Sequence, residues 1–305
     1  MAKNNKYPQL EKLPLRASRK GTNTRFGGLD IFIFIILIFY VIAVIFPFYN
    51  AFVISISSEY AYFNAELLLW PQEITFDAYT TVFASQQLWN GFGITMVLLI
   101  LGTAYQLFFT VITGYALSRD KWFGKNFVMN MIIVTMFFGG GLVPYYYLIT
   151  SLGLYDTIWV MIIPGAIDTF NMLLMRNYFA SLPKELEESA RIDGANDIQI
   201  FVKVYLPLSL PMLATIGLFF AVGNCNSWYN GMLFLETANL KPLQLVLREM
   251  IASIASNIEM PGGPNVYSEG LVMASIFFTI VPMMCFYPFL QRYFVKGIVV
   301  GAIKG

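Results

Sequence analysis

Histidine is absent from all 305 residues. Imidazole general-base chemistry, Ser-His-Asp triads and His-ligated zinc are excluded together by that one gap. The two cysteines, Cys225 and Cys285, sit in or beside apolar runs with no metal-ligand spacing, so they read as small apolar packing residues. The chain also lacks Gly-x-x-x-x-Gly-Lys-Ser/Thr, because its one Gly-Lys pair, Gly124-Lys125, is followed by Asn126. It is therefore expected to bind no nucleotide in the P-loop manner and to carry no metal and no catalytic group. Charged residues make up only 12% of the chain, with a net charge of +1.

What is present is apolar. Hydrophobic residues reach 57%, with 28 Phe, and the mean hydropathy is +0.64. That composition belongs in lipid rather than in water. Charge-free runs at 31–58, 78–118, 126–155, 204–235 and 270–291 each reach the ~20 residues that cross ~30 Å of hydrocarbon as helix. A sixth, 157–175, is interrupted only by Asp168. The expectation is an all-α membrane protein of about six transmembrane helices, near 31–54, 91–118, 127–149, 157–178, 205–228 and 271–291. A basic arm at 1–29 precedes a transmembrane domain at 30–305. Gly139, Gly140 and Gly141 favour close helix approach or a bend beside Pro144.

With six spans and a cytoplasmic N-terminus, every Lys and Arg except Lys241 and Arg248 falls on an inner segment. That asymmetry follows the positive-inside rule and places both termini in the cytoplasm. The basic arm, with Lys3, Lys6, Lys12, Arg16, Arg19, Lys20 and Arg25, is then an orientation signal lying near anionic lipid, not a nucleic-acid surface.

One inner segment, 181–203, is polar and patterned. Pro183 suits a first helical position, and Glu185, Glu187 and Glu188 crowd the first turn, where the helix dipole favours anions. Asp193-Gly194 closes that helix, and Asn196 caps a second one running through Ile198, Ile200 and Phe201 to Leu206-Pro207. The apolar residues Leu186, Ala190, Ile192, Ala195 and Ile198 require a cover, while Ser189 and Ala190 keep the helix slim. Glu188 and Arg191 are expected to be polar grips.

The run Glu188-Ser-Ala-Arg-Ile-Asp-Gly194, followed by Val204-Tyr-Leu-Pro207, resembles the cytoplasmic coupling loop of ABC importer permeases. It differs from the family's Glu-Ala-Ala pattern only by Ser189 and Val204. Phe138-Gly-Gly-Gly-Leu-Val-Pro-Tyr-Tyr-Tyr147, Ser151-Leu-Gly-Leu-Tyr-Asp156, Pro164-Gly-Ala-Ile-Asp168, Met175-Arg-Asn-Tyr-Phe179 and the tail Gly301-Ala-Ile-Lys-Gly305 extend the likeness. Together they resemble the carbohydrate-uptake group, in its oligosaccharide and polysaccharide branch with aldouronate-type systems. The resemblance implies a type I ABC importer permease fold with a coupling helix, and a place for this chain as half of a sugar path. It also implies a second homologous permease, two cytoplasmic ATPase subunits holding ATP and Mg, and an extracytoplasmic binding protein that delivers a carbohydrate. Glu188, Ser189, Ala190, Arg191, Asp193, Gly194, Leu206 and Pro207 would carry the ATPase contact.

For the path itself, polar residues at membrane depth are the candidates. Asp168 and Asn171 are expected on one helical face about midway along the fourth span, either as sugar-hydroxyl partners or as packing hydrogen bonds. Asn224, Asn226, Trp228 and Tyr229 close the fifth span and offer amides and flat rings, either to a cavity or to an interfacial aromatic belt. The segment 229–270, rich in Gly and Pro, is an outer loop with a short helix. The rival reading is an ion-coupled secondary transporter of a small polar solute. It accounts for six spans and Asp168 but needs no helix–Gly–helix insert.

Overall fold

The structure, a computed structural model, describes residues 28–65, 68–119, 123–255 and 267–284. The basic arm, Cys285, the last part of the expected sixth span and the glycine-bounded tail lie outside the described residues. The chain divides into two units at Tyr49 and Asn50. In the first, residues 28–49 are the body of helix α1 (Gly28–Ser55), apolar on every side and with no buried side chain up to Tyr49. Such a helix has no stable place in water and needs hydrocarbon around it.

The second unit is built around α4 (Gln86–Ser118), 33 residues long and therefore about 50 Å. The oxygen of Ser85 caps its start, and a π-helical turn at Leu98–Gly102 lies within it. Before it come the short helices α2 (Glu59–Asn64) and α3 (Asp77–Ala84). The expectation of 91–118 is met by a helix that begins five residues earlier; Gln86, Gln87 and Asn90 occupy that end and are exposed or half-buried.

Three expected spans are not continuous helices. Residues 127–149 form α5 (Lys125–Phe137) and α6 (Leu142–Ser151), bent by 116° where Gly141 takes φ +84°. Residues 157–178 form α7 (Trp159–Ile162) and α8 (Thr169–Ser181), because Pro164-Gly165 stops one helix and Asp168 caps the next. Residues 205–228 bend by 77° between α10 (Asp197–Leu208) and α11 (Leu210–Cys225). Pro211 has no N–H to give to the preceding turn, which accounts for that bend. α9 (Lys184–Ile192) precedes this pair, and α12 (Tyr229–Phe234), α13 (Leu243–Ala255) and α14 (Ser268–Met284) follow it. Among the described residues, only α1 and α4 are long and apolar enough to cross a membrane unaided.

Three apolar clusters lie along α4. Leu88 packs with Val82, Leu243, Val246, Leu271 and Phe278, while Leu98 packs with Ile149, Val160, Ile162 and Phe234. Val111 packs with Met175, Phe179, Ile200, Tyr205 and Phe220. Close approach is provided by small residues. A Cβ on Gly91 would meet the Leu243 backbone at 3.1 Å, and one on Gly114 would meet the Arg176 amide at 3.2 Å. In lipid, where apolar surface gives no drive for helices to associate, such contacts carry the packing.

Candidate functional site

The 181–203 segment folds as helix–turn–helix, and hydrogen bonds fix each junction. Pro183, with ψ of 130°, lies just before α9 instead of inside its first turn, a correction of one residue. At the other end, Gly194 at φ +83° donates to the Arg191 carbonyl at 3.0 Å, and Ala195 donates to Ala190 at 3.0 Å. This pair of bonds is a Schellman closure, which needs the left-handed residue that glycine supplies. Asn196 then opens α10 with a capping box: the Gln199 amide donates to Asn196 Oδ1 at 2.8 Å, and the Asn196 amide to Gln199 Oε1 at 3.0 Å. Asp193, at the C-cap, is fixed by the same closure.

The two faces of α9 differ. Ala190, Ala195 and, from α10, Leu206 pack against the Phe179–Tyr205 cluster. Glu188 and Ser189 are exposed, Ile192 is 86% exposed and Ile198 74%. Pro207 is exposed as well. The apolar residues thus divide, some covered by the chain's own core and others left outward beside Glu188.

The same segment also carries a charged clamp. Arg119, just beyond α4, forms an ion pair with Glu187 and donates to Tyr205 Oη at 2.8 Å; Tyr205 Oη donates in turn to Glu187 Oε2 at 3.1 Å. The guanidinium also lies 4.3 Å from the Tyr205 ring centroid and 4.8 Å from that of Tyr115. Glu187 Oε1 accepts from Arg191 at 3.0 Å, and Arg191 reaches Asp197 at 2.5 Å. Burial pushes the Glu187 carboxyl up. The Arg191 hydrogen bond, the Arg119 charge and the Tyr205 hydroxyl outweigh that and hold it below the ordinary glutamate value.

Arg191, expected as a polar grip, is in addition a strut between α9 and α10, with its side chain still 52% exposed. Arg119, Glu187 and Tyr205 were not recognised as a unit from the sequence. Glu187 and Arg191 stand four apart, a pair that spacing could have revealed. Arg119 is 68 residues from Glu187 and gives no local signal.

By their hydrogen-bond and ring partners, the polar residues of the expected path fall into three groups. Asp168 is not mid-helix: it is exposed at the N-cap of α8, where Oδ1 accepts from the Asn171 amide at 2.8 Å. Asn171 is 8% exposed, and its side-chain oxygen has no hydrogen-bond partner among the described residues. Asn224 is turned into α4, donating to Thr103 Oγ1 at 3.1 Å and Gln106 Oε1 at 2.9 Å. A Cβ on Gly102 would lie 3.0 Å from its Nδ2, so glycine there admits the amide. Asn226 donates to its own helix at the Val222 carbonyl, 2.9 Å away. Trp228 meets Tyr229 edge-on at 5.6 Å and carries the Arg248 guanidinium 3.8 Å from its ring centroid. α11 is 16 residues long, so about 24 Å of helix separates the Trp228 end from the bend beside α10.

A fourth polar junction joins the turns at 153–156 and 234–237. Asp156, at φ +52°, accepts from the amides of Glu236 and Thr237 at 2.9 Å each and from the Thr237 hydroxyl at 2.6 Å. The Thr237 hydroxyl and then its amide are the main causes that hold the Asp156 carboxyl below its ordinary value.

A bent multi-span helical unit with a rigid helix–turn–helix on one side defines a class of membrane transport subunit, and comparison with known proteins gives the family. Residues 121–300 match the binding-protein-dependent transport system inner membrane component family, and the chain belongs to it. It is similar to the Bacillus subtilis protein LplC, 37% identical over 266 residues, or 86% of this chain and 90% of that one. It is likewise similar to the Bacillus subtilis polygalacturonan/rhamnogalacturonan transport system permease YtcP, 34% identical over 281 residues, 90% and 98% of the two chains. A crystal structure of a bacterial ABC transporter that imports the acidic polysaccharide alginate superposes with a TM-score of 0.79. Identity there is 33%, covering 87% of this chain and 96% of that one. This chain is thus a multi-pass membrane permease subunit of the ABC importer type, and not an enzyme.

Proposed function

We propose that this chain forms half of the transmembrane path of an ATP-driven importer for an oligosaccharide, and that α9 is the lever an ATPase subunit grips. A second permease subunit completes the path. Two cytoplasmic ATPase subunits hold ATP and Mg, and an extracytoplasmic binding protein delivers the sugar. Both termini lie in the cytoplasm in this reading, which the distribution of Lys and Arg supports. The relatives named for polygalacturonan/rhamnogalacturonan and for alginate support a carbohydrate cargo.

One observation carries the coupling role. α9 is closed at its C-terminal end by the Gly194 turn and held from behind by Arg119, yet it turns Glu188, Ser189 and Ile192 outward. A lever transmits displacement only if it is stiffer than the joint it moves. ATP-driven closure of the ATPase pair would draw the two coupling helices together and rock the spans between two discrete arrangements.

The test is reconstitution of the four subunits with the binding protein in liposomes. Oligosaccharide uptake should require ATP and should stop when the ATPase active site is inactivated. Uptake that continues under an ion gradient with a dead ATPase would refute the reading.

A further inference from the structure

Two basic residues stand in the segments expected outside the membrane, and they differ in their partners. Lys241 is neutralised by Glu249, with Nζ 2.6 Å from its carboxylate. Arg248 is exposed, has no carboxylate partner among the described residues, and rests on the Trp228 ring at 3.8 Å. Stacking on a ring uses none of the five guanidinium N–H donors, so the group stays oriented and open to a planar anion. Beside it lies a shallow pocket lined by Trp228, Gln244, Leu247, Arg248, Ile251 and Ala252. Leu247, Ile251 and Ala252 offer an apolar wall, and the Gln244 amide can both donate and accept. An apolar wall, one amide and one oriented guanidinium match a sugar ring bearing hydroxyls and a carboxylate.

We propose that the Arg248–Trp228 pair is a subsite for the carboxylate of an acidic sugar, at the end of α11 remote from the coupling loop. The inference rests on the importer reading above and narrows its cargo to carboxylate-bearing oligosaccharides. Trp228 holds the guanidinium in place, so the ion pair forms without first ordering a free arginine side chain.

The test uses the complete complex in liposomes with saturating binding protein, and two probes, trigalacturonate and neutral galactotriose. Arg248→Gln should lower trigalacturonate uptake about tenfold, the loss expected for one charge-assisted pair. Arg248→Lys should fall between. Unchanged trigalacturonate uptake in Arg248→Gln would overturn the proposal, as would an equal fall for both sugars. Wild-type uptake of galactotriose without trigalacturonate would overturn it and leave the importer reading standing. Absence of ATP-dependent uptake of either sugar would overturn both.

Discussion

Arg119→Gln is the perturbation that most directly tests the clamp behind α9. The substitution removes the ion pair to Glu187, the bond to Tyr205 and the ring contacts with Tyr115 and Tyr205, while leaving a shorter, neutral polar side chain. A hydrogen bond to a charged group contributes about 1.5–3 kcal/mol when shielded. Here the two side chains are 25% and 19% exposed. Solvent screening reduces the pair to about 1–2 kcal/mol. Glu187 keeps Arg191, so α9 should loosen without unfolding. Its local opening should become about 5–30 times more frequent. Amide hydrogen exchange of residues 188–192, measured on the purified permease in lipid discs, reads that ratio directly. Exchange within twofold of wild type would refute the clamp, and so would full additivity of Arg119→Gln with Glu187→Gln. The pH dependence has a definite sign. The Glu187 carboxyl is held below its ordinary value, so its contribution is complete above about pH 4.5, the ordinary glutamate value, and fades as pH falls through the depressed one. Protection of α9, corrected for intrinsic exchange, should be flat from pH 8 to about 5 and should decline only in more acidic solution.

Three further outcomes follow from local geometry. Gly194→Ala meets no atom within 4 Å, so its cost is that of the left-handed backbone alone, about 1 kcal/mol; copurification of ATPase subunits should fall while permease abundance holds. Asp168→Asn should keep α8 capped, whereas Asp168→Ala should destabilise it by about 1 kcal/mol in thermal melts. If Asp168 touches the sugar, the Asn variant raises the apparent KM for uptake at unchanged melting. Asn224→Leu removes two bonds to α4, each about 0.6 kcal/mol in a membrane interior. It should lower the thermal midpoint and leave the apparent KM within twofold.

The readable parts of this chain were those governed by local rules. Gly194, Asn196 and the Glu-rich first turn specify the helix–turn–helix through capping alone, and the structure reproduces that reading almost residue for residue. Hydropathy found the apolar segments but not their continuity. A sliding count of apolar residues is blind to a proline at 211 that cannot donate to the preceding turn, or to an aspartate that starts a new helix at 168. Breaks of this kind are tolerated at membrane depth only where protein or an aqueous cavity covers the freed groups. Arg119 escaped because its partners are fixed by tertiary packing. In the sequence it counts only as one more basic residue at the inner end of a span.

The clamp and the bends also say where motion can go. Arg119 ties α9 to the end of α4, and Arg191 ties α9 to α10, so a pull on the outward face of α9 reaches both helices at once. α4 is the element shared by all three apolar clusters and by the Asn224 bonds, which makes it the stiff member. α10 instead meets α11 through a 77° bend at Ser209, whose hydroxyl is buried without a partner among the described residues. Pro211 removes one backbone hydrogen bond at that joint, a loss that no proline imposes along α4. Displacement of the lever should therefore appear chiefly as a change of angle at Ser209. Spin labels flanking residues 203 and 213 would show it as a distance change on ATP binding, with a pair along α4 unchanged. A fixed 203–213 distance across the nucleotide cycle would move the hinge elsewhere.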